Sequence, residues 1–167
     1  MLQQNQKFDM SIKIFPQNLR GPCITEDRIR EFEEHFSQPF PDDYRQYLML
    51  HNGGEMENGD VDVIYVQPDS SDIYYIFSIF GIDHPKGYLD IDDYRKLNLE
   101  FGMYPNHFLA IGVDAGANYY CISLGDDDYG RIYFWEYELQ SFEPGYENWR
   151  VIANNFTEFA ESFRYER

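Results

Sequence analysis

Three consecutive carboxylates in GDDDYG, Gly125 to Gly130, are the residues of this chain best suited by type to hold a hard cation. A calcium loop of the helix-loop-helix kind needs oxygen ligands at alternate positions and a bidentate glutamate at the twelfth. Counting from Asp126, Asp128 falls on an alternate position, but the fifth place is Gly130 and the twelfth is Tyr137, so the pattern fails. A solvated hairpin turn is the better reading, since Asp and Gly populate turns for conformational reasons of their own. The other reactive residue types give no stronger signal. His35, His51, His84 and His107 show neither HxxxH nor HExxH spacing and so suggest no zinc site. Cys23 and Cys121 stand far apart without a CxxC pair, which suits a reducing compartment and gives no sign of a disulfide framework. No GxSxG elbow is present, and Ser123 lies inside an apolar strand pattern. Asp90, Asp92 and Asp93 read as the cap and first turn of a helix. No catalytic residue, metal ligand or cofactor is assigned, and the chain is read as a non-enzyme.

A second candidate is FPDDYRQYLMLHNGG, Phe40 to Gly54, whose glycines raise the question of a phosphate-binding loop. Such loops place glycine before a helix, so that the first backbone amides point at the anion. Here the order is reversed. Pro41 suits the first helical turn, and Asp42 and Asp43 complement the positive end of the helix dipole. Tyr44, Tyr47, Leu48 and His51 then recur at i, i+3, i+4 and i+7. Asn52 and Gly53 stand where a left-handed residue releases the last carbonyls. The spacing therefore predicts an architectural helix stop, with His51 as a favourable cationic or hydrogen-bonding group at the C-terminus.

The elements that would position these residues follow from periodicity. ITEDRIREFEEHF (24–36) predicts an amphipathic helix with Thr25 as N-cap, Ile24 stapled to Ile29, and Ile29, Phe32 and Phe36 on one face. Residues 60–67 and 73–82 read as strands joined by a turn over 68–72. A short helix closed by Gly102 carries Ile91, Tyr94, Leu97 and Phe101 as its apolar face. Strands over 107–113, 119–124 and 131–137, joined by turns at 114–118 and 125–130, make an antiparallel meander the simplest topology. A last helix over 156–163, capped by Asn155, repeats Phe156, Phe159, Ala160 and Phe163 at helical spacing. The expected organisation is one α+β domain over 21–167, a mainly antiparallel twisted sheet packed by N-terminal and C-terminal helices, preceded by a polar arm over 1–20. The first 15 residues lack an apolar run long enough for a signal peptide, and nothing later approaches a span of ~20 residues, so a soluble, cytoplasmic protein is expected.

Charge bounds the partner. Asp and Glu number 30 against 13 Lys and Arg, a formal net charge of -17. A phosphate backbone would be repelled, and no Lys/Arg cluster offers a local footprint, so direct nucleic-acid binding is disfavoured. A basic protein would be attracted, its association accelerated by roughly 10 to 1,000-fold at low salt. The 15 tyrosines serve packed cores and contact surfaces equally well. Ranked by chemistry alone, the candidate contacts are Asp126, Asp127, Asp128 and Tyr129 in one turn, and Asp69 and Asp72 at the ends of a second acidic loop.

The ordered set ITEDRIREFEEHF, PFPDDYRQYLMLHNGG, FLAIGVDAGANYYCISL, GRIYFWEYE and FTEFAESF closely resembles the SUKH superfamily. This Smi/Knr-like group includes bacterial immunity proteins and a fungal regulator of cell-wall glucan synthesis. The likeness runs from Ile24 to Phe163. Pro41, Tyr44, Leu48, Asn52, Gly53 and Gly54 match the family's Pro-x-x-Tyr to Asn-Gly-Gly helix. Ile111, Gly112, Asp114 and Gly116 match its central strand-turn segment, and Tyr133 and Trp135 its next strand. Ala117 departs from the pattern, where the family often has glycine or a polar residue. The resemblance implies an α+β fold, no catalysis and no required cofactor. It further implies an immunity protein that neutralises a basic toxin domain, often a nuclease, by direct contact. The fungal members imply the alternative, a regulator or scaffold in cell-wall synthesis or signalling.

Overall fold

The computed structural model describes residues 16, 18–56, 61–63, 73–137 and 149–165. Most of the expected polar arm, and the whole loop bearing Asp69 and Asp72, lie outside them. Four helices form where local signals place them. Helix α1 (Glu26–Glu33) starts at Thr25, whose Oγ1 accepts the Arg28 amide at 3.2 Å, and the flanking Ile24 and Ile29 are both buried. Helix α2 (Asp42–Leu50) begins one residue later than expected. Pro41 keeps an extended ψ of 145° and serves as the N-cap, outside the first helical turn. Helix α3 (Ile91–Phe101) is capped by Asp90 and stopped by the left-handed Gly102. Helix α4 (Phe156–Glu161) is capped by Asn155, which accepts the Glu158 amide at 2.8 Å.

Nine strands are described in chain order: β1 (Gly54–Glu55), β2 (Val61–Val63), β3 (Tyr74–Ile76), β4 (Ser78–Ile79), β5 (Phe108–Val113), β6 (Tyr119–Ser123), β7 (Ile132–Trp135), β8 (Trp149–Ala153) and β9 (Phe163–Tyr165). A six-stranded sheet runs β1-β4-β5-β6-β7-β8 with every neighbouring pair antiparallel. Its β5-β6-β7 stretch is the expected meander. Strand β6 is buried along its whole length because both faces of the sheet are covered and alternate residues serve opposite faces. Tyr119 turns towards α3, its ring 5.5 Å from Tyr94, while Tyr120 turns towards α4, 5.4 Å from Phe159. The register sets Trp135 opposite Tyr119 and Phe134 opposite Tyr120, so aromatic pairs meet on each face. Helices α2 and α4 lock through Phe156, whose ring lies 5.1 Å from Tyr44 and 4.7 Å from Tyr47. The α+β architecture is the one the sequence implies.

Three expectations change. Residues 73–82 do not form one strand: β3 belongs to a small β3-β2-β9 sheet and β4 to the large one, with the switch at Phe77. The Phe77 amide still donates to the Val113 carbonyl at 2.9 Å, so the backbone bends without losing its bonds. The last helix ends at Glu161, and Phe163 opens β9. It remains in the core at 2% exposure, so a strand satisfies the position that helical spacing suggested. Helix α3 is rotated relative to its apolar pattern. Asn98 points inward, donating to the Tyr104 carbonyl at 2.9 Å and accepting its amide at 2.8 Å, while Leu97 and Phe101 are left exposed.

Candidate partner-binding surface

The Asn-Gly-Gly break at the end of α2 is a clasp. Asn52, Gly53 and Gly54 all take positive φ, at 43°, 78° and 137°. The buried Asn52 side chain donates to the Pro22 and Ile82 carbonyls, each at 2.9 Å, and accepts the Ile82 amide at 2.8 Å. Three chain segments therefore close on one side chain. Gly21 and Gly81 let the backbones approach: a Cβ would lie 2.2 Å from the Asn52 carbonyl oxygen at position 21 and 2.1 Å at position 81. A Cβ on Gly53 would strike the backbone of Ile79, Phe80 and Gly81 within 2.7 Å. The space beside these glycines is filled by protein, which suits architecture and leaves no cradle for an anion.

Of the two roles expected for His51 at this helix end, it takes the hydrogen-bonding one and not the cationic one. Burial, and then the nearby Arg20 charge, lower its pKa below the ordinary histidine value. Its neutral Nδ1 accepts from Arg20 at 3.2 Å, and Arg20 also donates to the Leu50 carbonyl at 2.9 Å, so arginine supplies the positive charge. A base whose pKa is lowered by folding binds fewer protons in the native state. Stability from this residue is complete above the unfolded histidine pKa and falls as pH drops from there through the lower folded value. Urea unfolding compared at pH 7.5 and 5.5 should show that loss, and His51→Gln should flatten it.

The turn over 125–130 is docked on the connection between α1 and α2. Gln38 donates to the Leu124 carbonyl at 3.2 Å and to Asp126 at 2.7 Å, and the Tyr129 hydroxyl donates to the Pro39 carbonyl at 2.6 Å. Asp128 faces the fold. Its carboxylate accepts the Ser123 hydroxyl through one oxygen and the Tyr133 hydroxyl, at 2.6 Å, through the other. Asp128 is thus a tie inside the turn, whereas Asp126 and Asp127 are exposed and Tyr129 is 39% exposed. Docking brings the exposed Asp42 of α2 into the same neighbourhood. Burial, then Asp42, Glu33 and Asp43, push the Tyr129 phenol up, with Arg45 opposing. Asp43 looks the other way and accepts the Thr157 amide and hydroxyl at 2.9 and 3.0 Å, which fixes α4 beside α2. The result is a rigid acidic face bearing one tyrosine. Among the described residues no group of three or more His, Cys, Asp or Glu could hold a metal ion.

The model of the SMI1 / KNR4 family (SUKH-1) matches residues 23–162 of this chain. The chain belongs to the SUKH-1 family. It is also 27% identical over 159 residues to the SPbeta prophage-derived uncharacterized protein YokK of Bacillus subtilis (strain 168), across 86% of this chain and 77% of that protein. Family membership supports an immunity-protein-like or Smi1/Knr4-like role.

In this SUKH-1 chain the residues matched to the family pattern are internal supports. Pro41, Tyr44 and Leu48 pack at or beside α2, Asn52 to Gly54 form the clasp, and Trp135 is buried against Tyr119. Gly112 sits beside a bulge in β5 where a Cβ would lie 2.8 Å from the Ser78 carbonyl oxygen. Asp114 folds the next turn by accepting the Gly116 and Asn118 amides at 2.8 and 2.9 Å. Ala117 takes φ of 63°. That left-handed backbone explains why glycine or a polar residue suits the position better. Cys121 is fully buried, which raises its pKa and keeps it a thiol, unsuited to nucleophilic attack. No helix among the described residues is long and apolar enough to cross a membrane. Asp42 is the contact candidate that sequence reasoning missed. Locally it reads only as a first-turn acid, because its place on the face depends on a turn more than 80 residues away in sequence.

Proposed function

We propose that this protein is a non-catalytic binding domain of the immunity type that neutralises a basic toxin domain, often a nuclease, by direct contact. What supports this reading is a docked turn with Asp126, Asp127 and Tyr129 exposed, and Asp42 close enough to act on the Tyr129 phenol, in a chain with net charge -17. The hydrogen bonds from Gln38, Tyr129, Ser123 and Tyr133 hold that face before any partner arrives, which reduces the ordering cost of association. The carboxylates steer a basic partner and the tyrosine supplies apolar contact. Asp69 and Asp72, outside the described residues, are kept as further candidate contacts by their chemistry alone. The binding unit is 21–167, acting in the cytoplasm on a protein partner and without a cofactor.

The test is stopped-flow association with basic toxin domains from the native host, beginning with any encoded beside this chain's gene. Asp126→Lys with Asp127→Lys should slow association about 10-fold at low salt, with the difference shrinking as salt screens it. Stability should fall by no more than about 1 kcal/mol, because both side chains are exposed and the Gln38 bond to Asp126 is what is lost. Absence of saturable binding by the unmodified chain at micromolar concentration and low salt removes the reading. A deletion strain with altered wall composition and normal survival beside toxin-producing siblings would favour the regulatory role instead.

A further inference from the structure

We infer that the outer face of α3 is an apolar anchor that enters a cleft rimmed by basic residues on a protein partner. The inference rests on the protein-binding reading above and concerns a different element from the acidic face. Leu97 and Phe101 are 37% and 65% exposed on one side of the helix, whereas Leu99, 56% exposed, lies on the other. Large apolar side chains scattered singly on a surface need no explanation, but a cluster does. Leu97 and Phe101 stand one helical turn apart, and Tyr94 precedes Leu97 by three residues, so the three form a stripe. Its root is rigid: Tyr94 stacks on Phe80 with centroids 3.9 Å apart, and its hydroxyl donates to the Tyr88 carbonyl at 2.9 Å.

The exposure is built into the fold. Asn98 clasps both backbone groups of Tyr104 from the flank of α3 beside the stripe, so rotating the helix to bury Leu97 and Phe101 would break two buried hydrogen bonds. Gly102 ends the helix immediately after Phe101, and a Cβ there would meet nothing within 4 Å, so space is open beyond the tip. The rim selects the occupant. Asp93 and Glu100 flank the stripe without an ion pair to any described residue, while Lys96 is held by Asp92 at 2.8 Å. A second copy of this chain would bring the same carboxylates and a net charge of -17, so like charge works against self-association. An apolar cleft edged by Lys and Arg satisfies both the rings and the rim.

The experiment measures binding kinetics of the full chain, its Leu97→Ala/Phe101→Ala variant and its Asp126→Lys/Asp127→Lys variant with a purified basic toxin domain from the native host. Sedimentation of the chain alone accompanies it. The α3 variant should dissociate about 30-fold faster, with association and salt dependence little changed. Its thermal midpoint should hold, since both side chains are exposed and alanine favours the helix. Saturable binding that is equal for the unmodified chain and the α3 variant overturns this inference and leaves the proposed function standing. Self-association lost in the α3 variant overturns it in favour of a second copy. Absence of saturable binding to the unmodified chain overturns both readings.

Discussion

Replacing Asn52 with alanine is expected to lower the stability of the fold by about 3 kcal/mol. The side chain is 2% exposed and serves the Pro22 carbonyl and both backbone groups of Ile82. Removing it strands three backbone groups where water has little access, at about 1–3 kcal/mol each before relaxation. A second contribution comes from the backbone. Asn52 has φ of 43°, a region asparagine tolerates and alanine enters at about 1–2 kcal/mol. Asn52→Gly separates the two causes, because glycine relieves the strain while losing the same hydrogen bonds. The alanine variant should therefore lie about 1 kcal/mol below the glycine variant. In a chain of this size the loss corresponds to a fall of roughly 6–12 °C in Tm. Equilibrium urea unfolding is the direct measurement. An alanine variant within 1 kcal/mol of the unmodified chain would refute the clasp.

Local chemistry made much of this fold legible. Thr25, Asp90 and Asn155 cap helices because a side-chain oxygen reaches an amide two or three residues ahead, and that geometry is written in adjacent residues. The stops at Asn52-Gly53 and Gly102 are equally local, since only the backbone conformation of one or two residues is at stake. What escaped was the choice between burial partners. The apolar run through Phe77 is the same whether the chain stays in one sheet or crosses to another. Phe163 satisfies a helical spacing from within a strand. Strand β8 is short and interrupted by the exposed Arg150, so it carries no clear alternation. Asn98 displaces Leu97 and Phe101 from the core only because Tyr104 offers two backbone groups at the right place. At the acidic face the turn was readable but its docking was not. Asp128 faces inward and Asp42 joins the surface as a result of contacts between distant segments.

Glu33→Ala is expected to cost about 3–4 kcal/mol, and its consequences reach the acidic face. Glu33 is 8% exposed, and its Oε1 accepts from Arg45 at 2.7 Å and from the Phe40 amide at 3.0 Å. Removing the carboxylate leaves a mostly buried guanidinium with Glu26, 3.6 Å away, as its remaining ion-pair partner among the described residues, and it leaves the Phe40 amide without its acceptor. Breaking one side of a buried pair costs more than the pair itself contributes, because an uncompensated charge stays in the interior. Glu33→Leu with Arg45→Met should therefore recover part of the loss, although the Phe40 amide remains unserved. The same amide holds the connection whose Pro39 carbonyl receives Tyr129, so loosening it frees the platform beneath Asp126 and Asp127. Denaturant unfolding and partner association should both weaken strongly in Glu33→Ala, whereas Asp126→Lys with Asp127→Lys should slow association with a stability loss of no more than about 1 kcal/mol from the Gln38 bond. Full stability in Glu33→Ala would show that the ion pair does not support the face.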